Sequence, residues 1–240
     1  MPASPTALAS FPHGGVALVV GASGGIGAAL ETALSRSGRF TTVLGTRRRG
    51  PLALDLIDEA SIAAAIASAA THGEIRLVVD ATGVLHGAGF APEKSLRELD
   101  PAHLAHAFAI NAIGPALLMK HVLPRLPRTG KSVFATLSAR VGSIGDNRLG
   151  GWHAYRASKA ALNQLVRTAA IELARRAPEA ACVALHPGTV DTALSAPFAK
   201  AGLDVHAPAD AARNLIEVID HLDAAHSGGF YDWRGAPIPW

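Results

Sequence analysis

The chain has 240 residues, of which 49% are hydrophobic and 17% are charged, and its formal net charge is +3. This composition excludes a disordered chain and is sufficient for one large buried core. The charge is small, and no basic run is longer than Arg47, Arg48 and Arg49, which disfavours a nucleic-acid-binding protein.

Short apolar runs alternate with longer helical stretches along the chain. Strands are predicted at residues 16–20, 41–46, 52–54, 75–80, 132–137, 181–186 and 230–233, and helices at 25–36, 57–70, 101–126, 152–176 and 208–222. The third helix has Asp100 as its N-cap and Pro101 in its first turn. This alternation predicts an α/β fold with a doubly wound, mostly parallel seven-stranded sheet and helices on both faces. Residues 1–13 are predicted to be a flexible arm, and residues 14–240 a single domain.

A glycine-rich loop follows the first strand and opens the first helix. It reads Gly21-Ala22-Ser23-Gly24-Gly25-Ile26-Gly27. Glycines allow a tight turn and let backbone N–H groups approach a pyrophosphate, and the helix N-terminus favours the negative charge. An ordinary strand-to-helix turn is the alternative, but the position between strand and helix predicts a dinucleotide-phosphate site.

The end of the second strand indicates which dinucleotide is bound. Folds of this class place an acid there to accept from the ribose 2′-OH of NAD, or an arginine beside the 2′-phosphate of NADP. Here the strand ends Gly45-Thr46-Arg47-Arg48, without an acid. Because a guanidinium matches phosphate geometry, NADP(H) is predicted in preference to NAD(H). The alternative is that these arginines are only solvated.

Tyr155 and Lys159 form a Tyr-x-x-x-Lys pair on the fourth predicted helix. Residues i and i+4 share one helix face, so both side chains can serve one site. A nearby ammonium stabilises a phenolate and lowers the tyrosine pKa. Tyr155 can then give a proton to a carbonyl oxygen or take one from an alcohol. Such a pair also occurs by chance on surfaces, and the glycine-rich loop upstream favours the catalytic interpretation.

The order and spacing of these motifs resemble the short-chain dehydrogenase/reductase family over residues 16–233. The loop spacing Gly-x-x-x-Gly-x-Gly, Asn111, the Tyr-x-x-x-Lys pair and the segment Pro187-Gly188 follow the family order. The residues 150–156 and the ending 230–240 resemble its sniffer-like and C-factor-like carbonyl reductase branch. The resemblance implies a Rossmann-like domain whose cofactor-binding residues are Gly21, Ser23, Gly25, Ile26, Gly27, Thr46, Arg47, Asp55, Leu56, Ala81, Thr82, Gly83, Asn111, Tyr155, Lys159, Pro187, Gly188, Val190 and Thr192.

The catalytic set implied by the resemblance is Tyr155, Lys159, Asn111 and a serine, and the serine position departs from the family. The family shows Ser-Ser-x-x-Gly, whereas this chain reads Ser138-Ala139-Arg140-Val141-Gly142. Ala139 therefore stands where the family has its substrate-binding hydroxyl. Ser138 is expected to replace it, with Ser143 as the reserve. A second departure is Asp80, which stands where the family commonly has asparagine.

The expected function is therefore that of an NADP(H)-dependent oxidoreductase that interconverts a carbonyl and an alcohol. The alternative is a non-catalytic or weakly catalytic dinucleotide-binding sensor or signalling protein. The expected partners are a small carbonyl or alcohol substrate and further copies of the chain, in a dimer or tetramer. With one cysteine, no run of about 18 uncharged apolar residues and no metal-ligand spacing among the histidines, we expect a cytoplasmic protein without membrane or metal. Substrate specificity is expected from residues 87–99, 146–151 and 193–203, around an open pocket.

Overall fold

The fold is built around a central sheet of parallel strands. The computed structural model describes residues 8–87, 89–198 and 205–240. Six strands pair in the order β2-β1-β3-β4-β5-β8, and every neighbouring pair is parallel. The predicted doubly wound α/β fold is therefore confirmed. The strands of this sheet are β1 (Val16–Val20), β2 (Thr42–Thr46), β3 (Ile75–Asp80), β4 (Ser132–Leu137), β5 (Ala180–His186) and β8 (Phe230–Asp232).

The strand count differs from the prediction of seven. Residues 52–54 form only a bridge between Arg47 and Ala53, because Pro51 has no N–H and the chain turns at once toward the next helix. A separate short pair, β6 (Thr189–Val190) and β7 (Val205–His206), follows β5 and was not predicted. Both differences lie beyond the carboxyl ends of the main-sheet strands.

Within the described ranges, six α-helices cover the two faces of the sheet. They are α1 (Gly25–Ser37), α2 (Glu59–Ala70), α3 (Pro101–Phe108), α4 (Gly114–Val122), α5 (His153–Arg176) and α6 (Pro208–His221). Leu18 of β1 faces a core with α2, α4 and α5, whereas its neighbour Val19 faces a core with α1 and α6. This alternation along one strand explains why β1 reads as continuously apolar.

The N-terminal segment packs on the second of these cores. Leu8 and Phe11 are buried beside α1 and α6, and the backbone N–H groups of Ala9 and Ser10 donate to the Asp220 carboxylate at 3.1 and 2.9 Å. Two apolar side chains that remove their surface from water hold this segment in place. As far as the structure describes it, the predicted flexible arm is therefore packed. Its residues 1–7 lie outside the described residues.

The predicted helix 101–126 is interrupted. It begins as predicted, with Asp100 accepting from the backbone N–H of His103 at 2.7 Å, but residues Ala109–Ile113 form a π-helical turn between α3 and α4. By length and composition alone, the helical segment Pro101–Arg125 is apolar enough to cross a membrane. Its residues Leu118 and Val122 belong to the core against the sheet, as in a core helix.

The order of the strands places the site. The chain moves from β1 outward to β2 and then returns to β3 on the other side of β1. Ligands of doubly wound sheets bind beyond the carboxyl ends of the strands at this reversal. The glycine-rich loop after β1 and residues 81–84 after β3 flank it.

Candidate functional site

The glycine-rich loop folds as a phosphate-binding turn requires. Gly21 has φ +84°, which an L side chain rarely adopts, and a Cβ on Gly27 would collide with the backbone of Gly21. The backbone N–H of Ala22 donates to the carbonyl of Thr46 at 2.9 Å, which ties the loop to the end of β2. Gly24 caps α1 without a side chain, so the first N–H groups of the helix stay available to an anion. The backbone therefore fits a dinucleotide pyrophosphate.

A cavity of about 330 Å³ lies on one side of this loop. Thr46, at the end of β2, is buried, while Arg47 is 45% exposed at the cavity wall and forms an ion pair with Glu31 of α1 at 2.6 Å. The Asp55 carboxylate accepts from the backbone N–H of Ile57 at 3.1 Å. This cavity gathers the residues predicted to hold the adenosine half, Gly21, Ser23, Thr46, Arg47, Asp55, Leu56, Ala81, Thr82 and Gly83, and adds Arg48, Leu54, Val84, His106 and Ile110.

A second cavity, of about 450 Å³, lies on the other side of the loop, beyond β4 and β5. Its wall holds the residues predicted to contact the nicotinamide half, Ile26, Tyr155, Pro187, Gly188, Val190 and Thr192, together with Ser138. Leu85 and Trp152, which lie outside the predicted specificity segments, give it an apolar side together with Phe198 of the predicted segment 193–203. The predicted specificity segments contribute Asp146, Leu149 and Leu194, whereas residues 88 and 199–203 lie outside the described part of the chain.

Tyr155 lines this cavity, and the buried Lys159 lies beside it. The Lys159 Nζ lies 6.0 Å from the centroid of the Tyr155 ring and donates to the carbonyl of Leu137, at the end of β4, at 2.7 Å. Lys159 is buried, and desolvation lowers its pKa to about 8, although the Asp80 carboxylate opposes this shift. Desolvation also raises the pKa of Tyr155 above its ordinary value. The pair therefore lies in a site of low polarity, where charge interactions are strong.

The start of α5, just before Tyr155, is held by a loop residue that the sequence did not single out. Trp152 has φ 53°, a strained conformation for a large residue, and its N–H donates to the carbonyl of Glu93 at 2.5 Å. The buried Glu93 carboxylate accepts from the N–H of Ala154 at 3.2 Å and lies 3.1 Å from Nδ1 of His103. Glu93 thereby fixes the start of the helix and directs the Trp152 ring toward the cavity, 6.3 Å from the Tyr155 ring.

Asn111 lies in the π-helical turn and is fully buried. Its amide oxygen accepts from the N–H of Val84 at 2.8 Å, and its Nδ2 donates to the carbonyl of Val84 at 2.8 Å and to Oγ of Ser158 at 3.1 Å. A Cβ on Gly83 would lie 3.4 Å from the Asn111 oxygen and 3.5 Å from the Lys159 Nζ. The structure therefore brings Asn111 to the lysine, and it links the segment after β3 to α5.

The serine prediction is not supported by the hydrogen bonds. Ser138 is part of the cavity wall, but its hydroxyl donates to Oδ1 of Asn163 on α5 at 2.7 Å. The Ser143 hydroxyl accepts from the N–H of Asp146 at 3.0 Å, and Ser143 is not among the wall residues. A Cβ on Gly142 would approach the Cβ of Lys159 to 2.8 Å, so this glycine lets the segment after β4 pack closely against α5. Ala139, three residues earlier, lines the cavity. The one hydroxyl proton of Ser138 is therefore given to Asn163, and Ser143 lies away from the cavity wall, so neither serine offers a donor at the place where Ala139 lacks one.

Asp80, the second departure, is a fully buried carboxylate at the end of β3. It accepts from the hydroxyl of Thr82 at 2.5 Å, the N–H of Thr82 at 3.1 Å and the hydroxyl of Thr136 at 2.7 Å. Burial raises its pKa, which these hydrogen bonds and the Lys159 ammonium oppose. Asp80 is thus the carboxyl group that interacts with the lysine. Within the ranges that the structure describes, no cluster of His, Cys, Asp and Glu side chains is placed to hold a metal ion.

Comparison with known proteins places the chain among characterised relatives. Residues 22–225 match the family model described as enoyl-(acyl carrier protein) reductase. C-signal from Myxococcus xanthus is 40% identical over 147 residues, which cover 61% of this chain and 84% of that protein. The carbonyl reductase Sniffer of D. melanogaster superposes with a TM-score of 0.81 at 22% identity, covering 95% of this chain and 100% of that one. The NADPH-bound carbonyl reductase from chicken fatty liver has a TM-score of 0.81 at 25% identity and covers 98% of both chains.

Proposed function

The chain belongs to the short-chain dehydrogenase/reductase family of NAD(P)-dependent oxidoreductases, and we propose that it interconverts a carbonyl and an alcohol with NADP(H), using Tyr155 as the general acid and base. The observation that carries the proposal is that Tyr155, with the Lys159 ammonium 6.0 Å from its ring centroid, lines a cavity that borders the glycine-rich loop. A titratable pair in a desolvated cavity is a typical feature of active sites.

We assign different parts of cofactor binding and catalysis to the residues around the two cavities. The backbone of residues 21–27 would bind the pyrophosphate, and Pro187, Gly188, Val190 and Thr192 would hold the nicotinamide ring beside Tyr155. When bound, the nicotinamide supplies or accepts the hydride. The Tyr155 hydroxyl gives its proton to the substrate oxygen during reduction, and the Lys159 ammonium stabilises the phenolate that remains. Asn111 keeps the segment around Gly83 against the lysine.

The preference for NADP(H) over NAD(H) rests on Arg47. Its guanidinium is half-exposed at the cavity that would hold the adenosine, and no acid stands at the end of β2, where buried Thr46 is found instead. Glu31 holds Arg47 from the helix side at 2.6 Å, which leaves donors of the fork for a phosphate. The NADPH bound in the chicken liver carbonyl reductase supports the same preference.

Arg47→Ala is expected to weaken NADPH binding by about 10-fold to 100-fold and to change NADH binding little, because a charge-assisted contact to the 2′-phosphate contributes about 1.5–3 kcal/mol. Titration of the purified protein with each cofactor, followed by fluorescence, measures both affinities. Arg49→Ala is the matched control, because Arg49 is exposed and does not line the cavity. Equal weakening of both cofactors would contradict the assignment of Arg47 to the 2′-phosphate.

A second candidate function is that of a dinucleotide-binding sensor or signalling protein with little or no turnover. Two observations favour it: Ala139 lacks the hydroxyl of the family, and C-signal of Myxococcus xanthus is among the relatives. Such a protein would bind NADPH without oxidising it in the presence of any carbonyl compound. NADPH oxidation that depends on a carbonyl and disappears in Tyr155→Phe would exclude this candidate.

We also propose that the chain forms dimers through the exposed face of α4 and α5. Apolar side chains remain uncovered on it: Ile113 is 54% exposed and Ile171 50%. Between the two helices lies a surface cavity of about 500 Å³ whose apolar wall includes Met119, Leu165 and Leu173. A two-fold interface would cover this face with its own copy and remove the apolar surface from water.

Ile171→Asp is expected to shift the protein toward the monomer, because a two-fold interface would bring two carboxylates into an apolar contact. Sedimentation velocity over a range of concentrations measures the change. Leu96→Asp is the control, since Leu96 is also exposed, at 69%, but lies in the loop before α3. An unchanged distribution in Ile171→Asp would show that another surface mediates association or that the chain is monomeric.

A further inference from the structure

We propose that His186 is a further catalytic residue, whose imidazole donates a hydrogen bond to the substrate oxygen in place of the hydroxyl that Ala139 lacks. The inference rests on the proposed carbonyl reduction, and it concerns the same cavity. It starts from a requirement of the chemistry. The carbonyl oxygen gains negative charge as the hydride arrives, and a second donor beside the tyrosine lowers the barrier.

The register of the sheet brings His186 beside the end of β4, next to the segment that carries Ala139. Leu137 of β4 pairs with Leu185 of β5, and the N–H of Ser138 donates to the carbonyl of Leu185 at 2.8 Å. His186 is therefore the cross-strand neighbour of the residue before Ala139. Neighbouring strands lie about 4.8 Å apart, and an imidazole spans that distance. His186, Ala139 and Tyr155 all line the same 450 Å³ cavity.

Other donors around this position are already engaged. Ser138 donates its hydroxyl proton to Asn163, and Ser143, which accepts from the N–H of Asp146, does not line the cavity. The Arg140 guanidinium reaches the carboxylates of Asp146 at 3.0 Å and Asp232 at 3.4 Å. Arg156 donates to the carbonyls of Val141, Gly150 and Gly151. His186 differs from them, because its Nδ1 is buried and has no hydrogen-bond partner among the described residues.

The charge state of the ring suits this role. Desolvation, together with the nearby Arg140 guanidinium, lowers the pKa of His186 to about 4, while Asp232 opposes the shift. The imidazole is therefore neutral at pH 7 and carries one N–H. Nδ1 is enclosed and the half-buried residue lines the cavity, so we assign the proton to Nε2, on the opposite edge of the ring, as the donor to the substrate oxygen. A neutral imidazole polarises a carbonyl without delivering its own proton, and Tyr155 remains the proton donor.

The test compares variants that keep or remove a donor at the Nε2 position. His186→Leu removes it, and the kcat for carbonyl reduction is expected to fall about 100-fold or more, with NADPH affinity unchanged. His186→Gln places an amide N–H near the same point and is expected to retain most of the activity. Ala139→Ser introduced into His186→Leu is expected to restore activity, because it supplies the hydroxyl from the neighbouring strand. His72→Ala, at an exposed position after α2, is the control.

The outcomes separate this proposal from the proposed function. If the unsubstituted protein reduces a carbonyl compound and Tyr155→Phe does not, carbonyl reduction by Tyr155 is supported, and the activities of the His186 variants can be interpreted. Full activity of His186→Leu would then overturn the proposal. Equal losses in His186→Leu and His186→Gln without rescue by Ala139→Ser would assign His186 to the packing of the cavity and also overturn it. Binding of NADPH without turnover by the unsubstituted protein would refute carbonyl reduction itself.

Discussion

Tyr155→Phe is expected to lower kcat for carbonyl reduction by between about 100-fold and 10,000-fold, which is the range for loss of a positioned general acid. The substitution removes one oxygen atom and leaves the ring that packs beside Trp152. NADPH affinity and the thermal unfolding midpoint are therefore expected to stay close to those of the unsubstituted protein. A loss confined to kcat would identify the hydroxyl as a group that acts in the transition state.

The chain provides its own control for this experiment. Tyr231 is the other of its two tyrosines, and its hydroxyl donates to the carbonyl of His226 at 3.3 Å, away from the cavity. Tyr231→Phe should leave kcat unchanged. Steady-state rates with NADPH and a panel of aldehydes and ketones, together with cofactor titration, give both readouts. If Tyr155→Phe kept full turnover, Tyr155 would not be the general acid, and the Tyr-x-x-x-Lys pair would be a family feature without a catalytic role in this protein.

The parts of the site that depend on local spacing could be predicted from the sequence. Tyr155 and Lys159 share a helix face because they are four residues apart, and the strand-loop-helix context of Gly21 indicated the phosphate turn. The fold followed from the alternation of apolar runs and helical stretches, since a parallel sheet needs crossover helices. In each of these cases the information lies within a few neighbouring residues.

The features that arise from contacts between distant segments could not be predicted in this way. The sequence identified Asn111 as a candidate site residue within a predicted helix. It did not reveal the π-helical turn, in which the Asn111 amide binds the backbone of Val84, 27 residues away. Ser138 was preferred as the replacement hydroxyl, yet its direction is decided by Asn163 on α5. Nothing in the local sequence marks Glu93, and only the folded chain places its carboxylate at the start of α5.

His186 shows a further limit. In the sequence it reads as a histidine at the end of an apolar strand, where a core or surface position is the common outcome. Its candidacy depends on three facts from different segments: the alanine at position 139, the alignment of β4 with β5, and the engagement of both nearby serines. A departure from the family at one position therefore directed attention to a compensating group on the neighbouring strand.

The lysine of the pair is expected to make stability depend on pH. Its ammonium is buried, and desolvation lowers the folded-state pKa to about 8 from an ordinary value of 10.5. The unfolded chain therefore binds the proton more tightly than the folded chain between these two values. A group of this kind contributes stability that is present above its unfolded pKa and is lost as the pH falls through the folded pKa. The free energy of unfolding should accordingly rise between about pH 8 and about pH 10.5.

Lys159→Met removes this dependence and tests it, because methionine has a similar length and no charge. Relative to the unsubstituted protein, Lys159→Met should gain less stability between about pH 8 and about pH 10.5, by up to a few kcal/mol, since each pKa unit corresponds to about 1.4 kcal/mol. Lys131, whose pKa is also lowered to about 8, is present in both proteins and cancels in the comparison. Asp80→Asn should act in the opposite direction and extend the dependence to lower pH, because loss of the carboxylate lowers the folded-state pKa of Lys159 further. Urea unfolding at several pH values measures all three proteins. Parallel pH profiles would contradict a desolvated ammonium at the centre of the site, whereas divergent ones would show that the charge required for catalysis reduces the stability of the fold.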